Sequence, residues 1–136
     1  MPHFIIDCSE NIIEQKSPEE IMQAVYDVAE ATGLFAVNDI KVRLHPYQYF
    51  NLGKGKRDFI HIFGNIMEGR STEQKENLSR KIIERLNEIF PDVSILSINI
   101  REFEKATYSN KTLIHPLNIT SDRHFNIENQ TKDVPE

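Results

Sequence analysis

The sequence predicts an α/β (α+β) fold: duplicated β-α-β units forming a four-stranded mixed sheet with two helices on one face. The order strand, capped helix, strand comes round twice, over about residues 2–50 and again over about 58–104. Each helix also opens on the same chemistry. Ser17-Pro18-Glu19-Glu20 and Ser71-Thr72-Glu73-Gln74 both read as capping boxes, in which a serine oxygen and an acid or amide three residues on satisfy each other's exposed backbone N–H.

Residues 3–8 alternate, with Phe4, Ile6 and Cys8 on one face and His3, Ile5 and Asp7 on the other, which predicts the first strand. Ser17 then caps the first helix, with Pro18 at its first position. Ile21, Val25, Val28, Ala29 and Thr32 keep the spacing of one helical face, and Gly33 stands where a left-handed cap is expected. Ile40, Val42 and Leu44 alternate with Lys41, Arg43 and His45, so the second strand has a cationic face and ends at His45-Pro46. Tyr47 to Lys56 reads as a connector. The third strand covers 59–66 and the turn Glu68-Gly69-Arg70 follows. Leu78, Ile82, Leu86 and Ile89 with Phe90 mark the buried face of the second helix, Pro91 stops it, and 93–100 forms the fourth strand.

Right-handed crossovers make the strands within each unit parallel and place both helices on one side of the sheet. The other face is then uncovered, with Phe4 or Ile5, Ile60 or Phe63, and the isoleucines of the fourth strand as its candidate residues. Packing such faces together in an oligomer is the economical way to hide them. Thr107 to Pro116 is expected to add a short interface strand, closing a domain over 1–116, and 117–136 to be a polar C-terminal tail.

At 136 residues and a net charge of -5, the chain reads as one ordinary globular domain. Its densest basic cluster is Lys54-Gly-Lys56-Arg57, so nucleic acid is not the expected partner. No apolar run reaches the ~20 residues of a membrane span and no basic leader precedes one, which points to the cytoplasm and away from the membrane. The single cysteine, Cys8, has no internal disulfide partner, and in a strand it is most simply a small buried apolar residue. The five histidines show no metal-ligand spacing, so no metal site is expected.

The chain begins Met1-Pro2, and aminopeptidases remove a methionine that precedes a small residue. Pro2 would then carry a free secondary amine at a fixed angle to the first strand. A terminal amine titrates near ~7.7–8.0 unperturbed, and burial or positive neighbours lower it further, toward the range of a general base at neutral pH.

Pro2-His3-Phe4-Ile5, Cys8-Ser9-Glu10-Asn11-Ile12, Ala31-Thr32-Gly33-Leu34-Phe35 and Arg43-Leu44-His45 together resemble the 5-carboxymethyl-2-hydroxymuconate isomerases. Glu68-Gly69-Arg70-Ser71 and Glu73-Gln74-Lys75-Glu76 are similar to the opening of 4-oxalocrotonate tautomerase, whose small subunit corresponds to one β-α-β unit. The resemblance covers about residues 2–115 and implies a tautomerase-like fold, a homotrimer whose sheets form an inner barrel, and no cofactor. It implies Pro2 as catalytic base, acting on a dienol with several carboxylates made during breakdown of homoprotocatechuate. Arg70 matches the arginine that binds a substrate carboxylate. Lys41 and Arg43 occupy the positions of two strand arginines, and Lys41 departs from the pattern by losing the bidentate fork. Taken singly, Arg70 is also an ordinary residue before a helix cap, and Lys41 and Arg43 an ordinary solvated strand edge. Two other readings stay open beside this one: a tautomerase for a different enol acid, and an inactive trimeric binding domain of the same fold.

Overall fold

A computed structural model describes residues 1–114. The elements run β1 (His3–Ser9), α1 (Ile12–Gln15), α2 (Pro18–Ala31), β2 (Lys41–Tyr47), β3 (Ile60–Met67), α3 (Thr72–Ile89), β4 (Leu96–Phe103), a 3-10 turn (Lys105–Thr107) and α4 (Lys111–Ile114). The sheet order is β2-β1-β3-β4. β1 is parallel to β2 and β3 to β4, while the two units meet antiparallel along β1 and β3, so the sheet is mixed as expected.

Both expected capping boxes are present. Ser17 accepts from the Glu20 N–H at 3.2 Å while Glu20 reaches back to the Ser17 N–H at 3.3 Å. Ser71 and Gln74 do the same at 3.1 and 2.9 Å. Gly33 closes the first long helix at φ 73°, a conformation that favours glycine. Ile21, Val25 and Ala29 of α2 and Leu78, Ile82 and Leu86 of α3 pack on Phe4, Ile6 and Cys8 of β1 and Ile60, Ile62 and Ile66 of β3. This one layer of apolar side chains between helices and sheet is the core, and burial of apolar area on that scale is what holds small domains together.

The structure corrects several expectations. β2 runs through Pro46 instead of stopping at His45, because it is the outer strand of the sheet, where a missing N–H need not break a ladder. β4 begins at Leu96, not Val93: the Val93 N–H turns back to the Phe90 carbonyl at 3.2 Å, and pairing with β3 opens only at Ile95. Ile12 is fully buried and anchors the extra short helix α1. Thr107 to Ile114 is turn and helix rather than the expected interface strand, since the Asn110 side chain accepts from the Leu113 N–H at 3.0 Å and starts a helical turn. Residues 115 and 116 of that expected strand, and the tail over 117–136, lie outside the described residues.

The uncovered sheet face is also more polar than expected. Register puts Phe4, Ile60, Ile98 and Ile100 on the helix side. Ile5 and Phe63 face the other way among His3, Asp7, Lys41, Arg43, His61, Asn65 and Arg101. These polar groups pair with one another: His61 bridges Ser97 at 2.6 Å and Asn99 at 2.8 Å, and Arg101 donates to Asn65 at 3.1 Å while lying 4.7 Å over the Phe63 ring. Among the described residues no helix is long and apolar enough to cross a membrane.

Candidate active site

The first residues of the chain sit at one end of the sheet. Pro2 is buried, and its carbonyl accepts from the Lys41 N–H at 3.0 Å. That bond sets the parallel register, His3 beside Lys41 and Ile5 beside Arg43. Side chains alternate along strands, so His3, Lys41 and Arg43 share one face. Arg43 Nη1 lies 3.2 Å from His3 Nδ1. Lys41 and Arg43 also border a shallow groove at the outer edge of β2, completed by Met22 and Tyr26 of α2.

The loop entering β2 supplies an acid. Asn38 adopts φ 66°, and the Asp39 N–H bonds to the Ala36 carbonyl at 3.1 Å, which turns Asp39 inward. Asp39 is only 5% exposed. Its Oδ2 is 2.8 Å from the terminal ammonium of Met1, and its Oδ1 is 3.7 Å from Lys41 Nζ. Lys41 further donates to the Asp39 carbonyl at 2.9 Å. In the chain carrying Met1 the Pro2 nitrogen is an amide without basicity, and the free amine at this end belongs to Met1. Burial first, then Arg43, Lys41 and the chain terminus, lower the His3 pKa below 6.5, with Asp39 opposing them.

Arg70 reaches the same end of the sheet from the other unit. β3 runs antiparallel to β1, so the turn after Met67 comes level with the start of β1. Gly69 makes that turn at φ 119°. The Arg70 guanidinium donates to the Leu34 carbonyl and to the Met67 carbonyl at 3.4 Å, and lies 5.1 Å over the Phe35 ring. Phe35 in turn meets Phe4 edge to face at 6.2 Å. The structure thus joins Pro2, Lys41 and Arg43 in one cluster and sets Arg70 in a second one at the same sheet end.

Asp39, His3 and Phe35 were not singled out by sequence reasoning. The available signal was positional: an acid directly before a strand with a cationic face, and a histidine in register with it. Neither fact says which acid becomes buried. Among the described residues no group of three or more His, Cys, Asp or Glu is placed to hold a metal ion.

This geometry can be set beside known proteins. A model of the family described as 5-carboxymethyl-2-hydroxymuconate isomerase matches residues 2–117. The curated 5-carboxymethyl-2-hydroxymuconate Delta-isomerase of Escherichia coli is 27% identical over 124 residues, covering 86% of this chain and 98% of that protein. The crystal structure of a 5-carboxymethyl-2-hydroxymuconate isomerase from Deinococcus radiodurans R1 superposes with a TM-score of 0.71 at 26% identity, covering 88% of this chain and 95% of that one. A fused 4-OT, described as a wild-type symmetric trimer, shares the fold with a TM-score of 0.64 at 17% identity, covering 80% and 93% of the two chains. The chain belongs to the 5-carboxymethyl-2-hydroxymuconate isomerase family and is an isomerase with the tautomerase fold.

Proposed function

We propose that the chain converts a 2-hydroxymuconate-type dienol, such as 5-carboxymethyl-2-hydroxymuconate, to its conjugated keto isomer, with Pro2 as general base after removal of Met1. The observation that carries this reading is the placement of the chain's terminal amine at the head of β1, where it shares the Asp39 carboxylate with Lys41 of the cationic face of β2. The neutral Pro2 nitrogen takes the proton of the 2-hydroxyl as the C–O bond becomes a carbonyl, and the same proton is returned to a carbon of the dienol. One group serves both steps because an amine titrating near neutrality both accepts and donates. Positioned acid–base catalysis of this kind is worth ~10²–10⁴-fold.

Lys41, Arg43 and Arg70 hold the substrate's carboxylates and stabilise the developing enolate. Lys41 and Arg43 also favour the neutral form of the Pro2 amine. The reaction needs no cofactor in this scheme. The working form is a homotrimer: Ile5 and Phe63 lie unpacked by helices at the centre of the open sheet face, and β2 leaves a free strand edge. The shared fold with the fused 4-OT trimer supports that assembly.

The test is an intact mass of the purified protein, followed by 2-hydroxymuconate ketonisation on the same sample. Loss of Met1, fast ketonisation and a drop of ~10²–10⁴-fold in Pro2→Ala are expected. Protein lacking Met1 that turns over neither 2-hydroxymuconate nor its carboxymethyl analogue would overturn the assignment. A second reading, a tautomerase for a different enol acid, draws on Lys41 standing where the family has an arginine. It predicts that another 2-hydroxydienoate is the better substrate.

A further inference from the structure

A carboxylate as enclosed as that of Asp39, 5% exposed, keeps its charge only with cations against it. Two are present: the terminal ammonium at 2.8 Å and Lys41 Nζ at 3.7 Å. The parallel register explains the first of them. Lys41 pairs with His3, so Asp39, two residues earlier, comes level with Met1. Removing Met1 takes that ammonium away and leaves the new terminus one residue further on, about 3.8 Å along the chain. The chain's amine is then that of Pro2, which the register sets level with Ile40, one residue from Asp39.

Building on the reading of Pro2 as base, we propose that Asp39 is a positioning residue for it: the counter-ion that orients the Pro2 amine at the head of β1 and keeps it basic enough to take the substrate's hydroxyl proton. The charged groups around the amine divide into two camps. Lys41 and Arg43 from β2 favour the neutral amine, while Arg70, from the turn after β3, stands apart in the Phe35 cluster. Asp39 favours the protonated one. His3, the titratable neighbour on β1, already registers both, since Arg43, Lys41 and the terminus push its pKa down while Asp39 pushes it up. With the cations alone the amine would be too weak a base to deprotonate an enol efficiently, because acid–base catalysis is best when the pKa lies near the working pH. Asp39 remains a carboxylate throughout the cycle, and the proton travels only between substrate and Pro2.

The experiment is an NMR titration of the Met1-free protein labelled with ¹⁵N-proline, read beside the pH profile of kcat/KM. Asp39→Asn is expected to lower the Pro2 midpoint by about one unit or more and to carry the acid limb of kcat/KM with it, while Asp39→Glu restores both toward the original values. A Pro2 midpoint unmoved in Asp39→Asn overturns the proposal. The unsubstituted protein offers the same test without any variant: coupled groups report each other's titration, so the Asp39 carboxyl carbon must show an inflection at the Pro2 midpoint. A carboxyl carbon silent at that pH overturns it equally. If this coupling is found in protein that turns over no enol acid, Asp39 stands and the isomerisation chemistry falls. If Pro2→Ala abolishes turnover while Asp39→Asn leaves the midpoint in place, the base stands and Asp39 falls.

Discussion

His3 Nδ1 lies 3.2 Å from Arg43 Nη1 across the β1–β2 pair. An arginine only donates, so the ring nitrogen accepts and His3 is held neutral with its proton on Nε2. Burial and then Arg43 lower its pKa from 6.5. Below 6.5 the unfolded chain therefore takes up this proton before the folded one does. The contribution of His3 to stability is present in full above the unfolded value and is lost as pH falls toward and through the folded pKa. Urea midpoints between about pH 8 and about pH 5 should fall less steeply in His3→Gln than in the parent. The His3 ring carbon should titrate below 6.5, and Arg43→Gln should move it upward. A midpoint at or above 6.5 would contradict the arrangement.

Arg70 is expected to fail when replaced by lysine. Its planar fork spans two backbone carbonyls, those of Leu34 and Met67, and lies 5.1 Å over the Phe35 ring. A lysine ammonium keeps the charge but neither bridges the two carbonyls nor stacks on the ring. Arg70→Lys should therefore lose about 10-fold or more in kcat/KM, and Arg70→Ala about 10²–10³-fold, the usual range for one well-placed donor. Steady-state kinetics read beside urea unfolding separate the two roles. Arg70→Lys with parental kcat/KM would remove it from the substrate site.

The parts of this fold legible in the sequence are those decided over short distances. A capping box closes over three residues, so Ser17 with Glu20 and Ser71 with Gln74 could be read directly. Pro2, Lys41, Arg43 and Arg70 could be named as candidates in the same way, because each sits in a local pattern or a recognisable motif. What escaped depends on pairing between distant segments. Asp39 matters only because parallel register brings it level with Met1. Pro46 belongs to a strand only because that strand is at the sheet edge. The polarity of the open face followed from the sheet register, which sets Leu96, Ile98 and Ile100 with the helices and leaves His61, Asn65 and Arg101 on the other side.

Cys8 should be chemically silent in the folded protein. Its side chain is fully buried in the layer between β1 and the helices, and burial, reinforced by Asp7, pushes the thiol up to about 11. The thiolate is the reactive form, so a disulfide reagent near neutral pH should label Cys8 only at the rate of unfolding. Adding guanidinium should release one thiol per chain. Fast labelling of the native protein would show that β1 opens far more readily than its packing implies.

Gly64 ties the core to the candidate site. A Cβ at this position would come 2.7 Å from Ile100 Cδ1 and 3.1 Å from Phe4 Cε1. Ile100 can turn its terminal methyl away, whereas Phe4 is fully buried and has no room to retreat. Overpacking of this kind costs about 1–3 kcal/mol, so Gly64→Ala should lower stability by that amount in urea unfolding. Ile100→Val removes the nearest atom at a cost of its own of about 0.5–1.5 kcal/mol. The double variant should therefore be more stable than the sum of the two single losses implies, a positive coupling that a double-mutant cycle measures directly. The strain should also reach function. Phe4 packs edge to face on Phe35, and Phe35 carries the Arg70 guanidinium, so displacing Phe4 tilts the arginine proposed to hold the substrate. KM should rise more than kcat falls, since the loop that carries Asp39 enters β2, on the opposite flank of β1 from Gly64. A Gly64→Ala protein with parental stability and strictly additive behaviour with Ile100→Val would show that β3 and β4 give way at this contact.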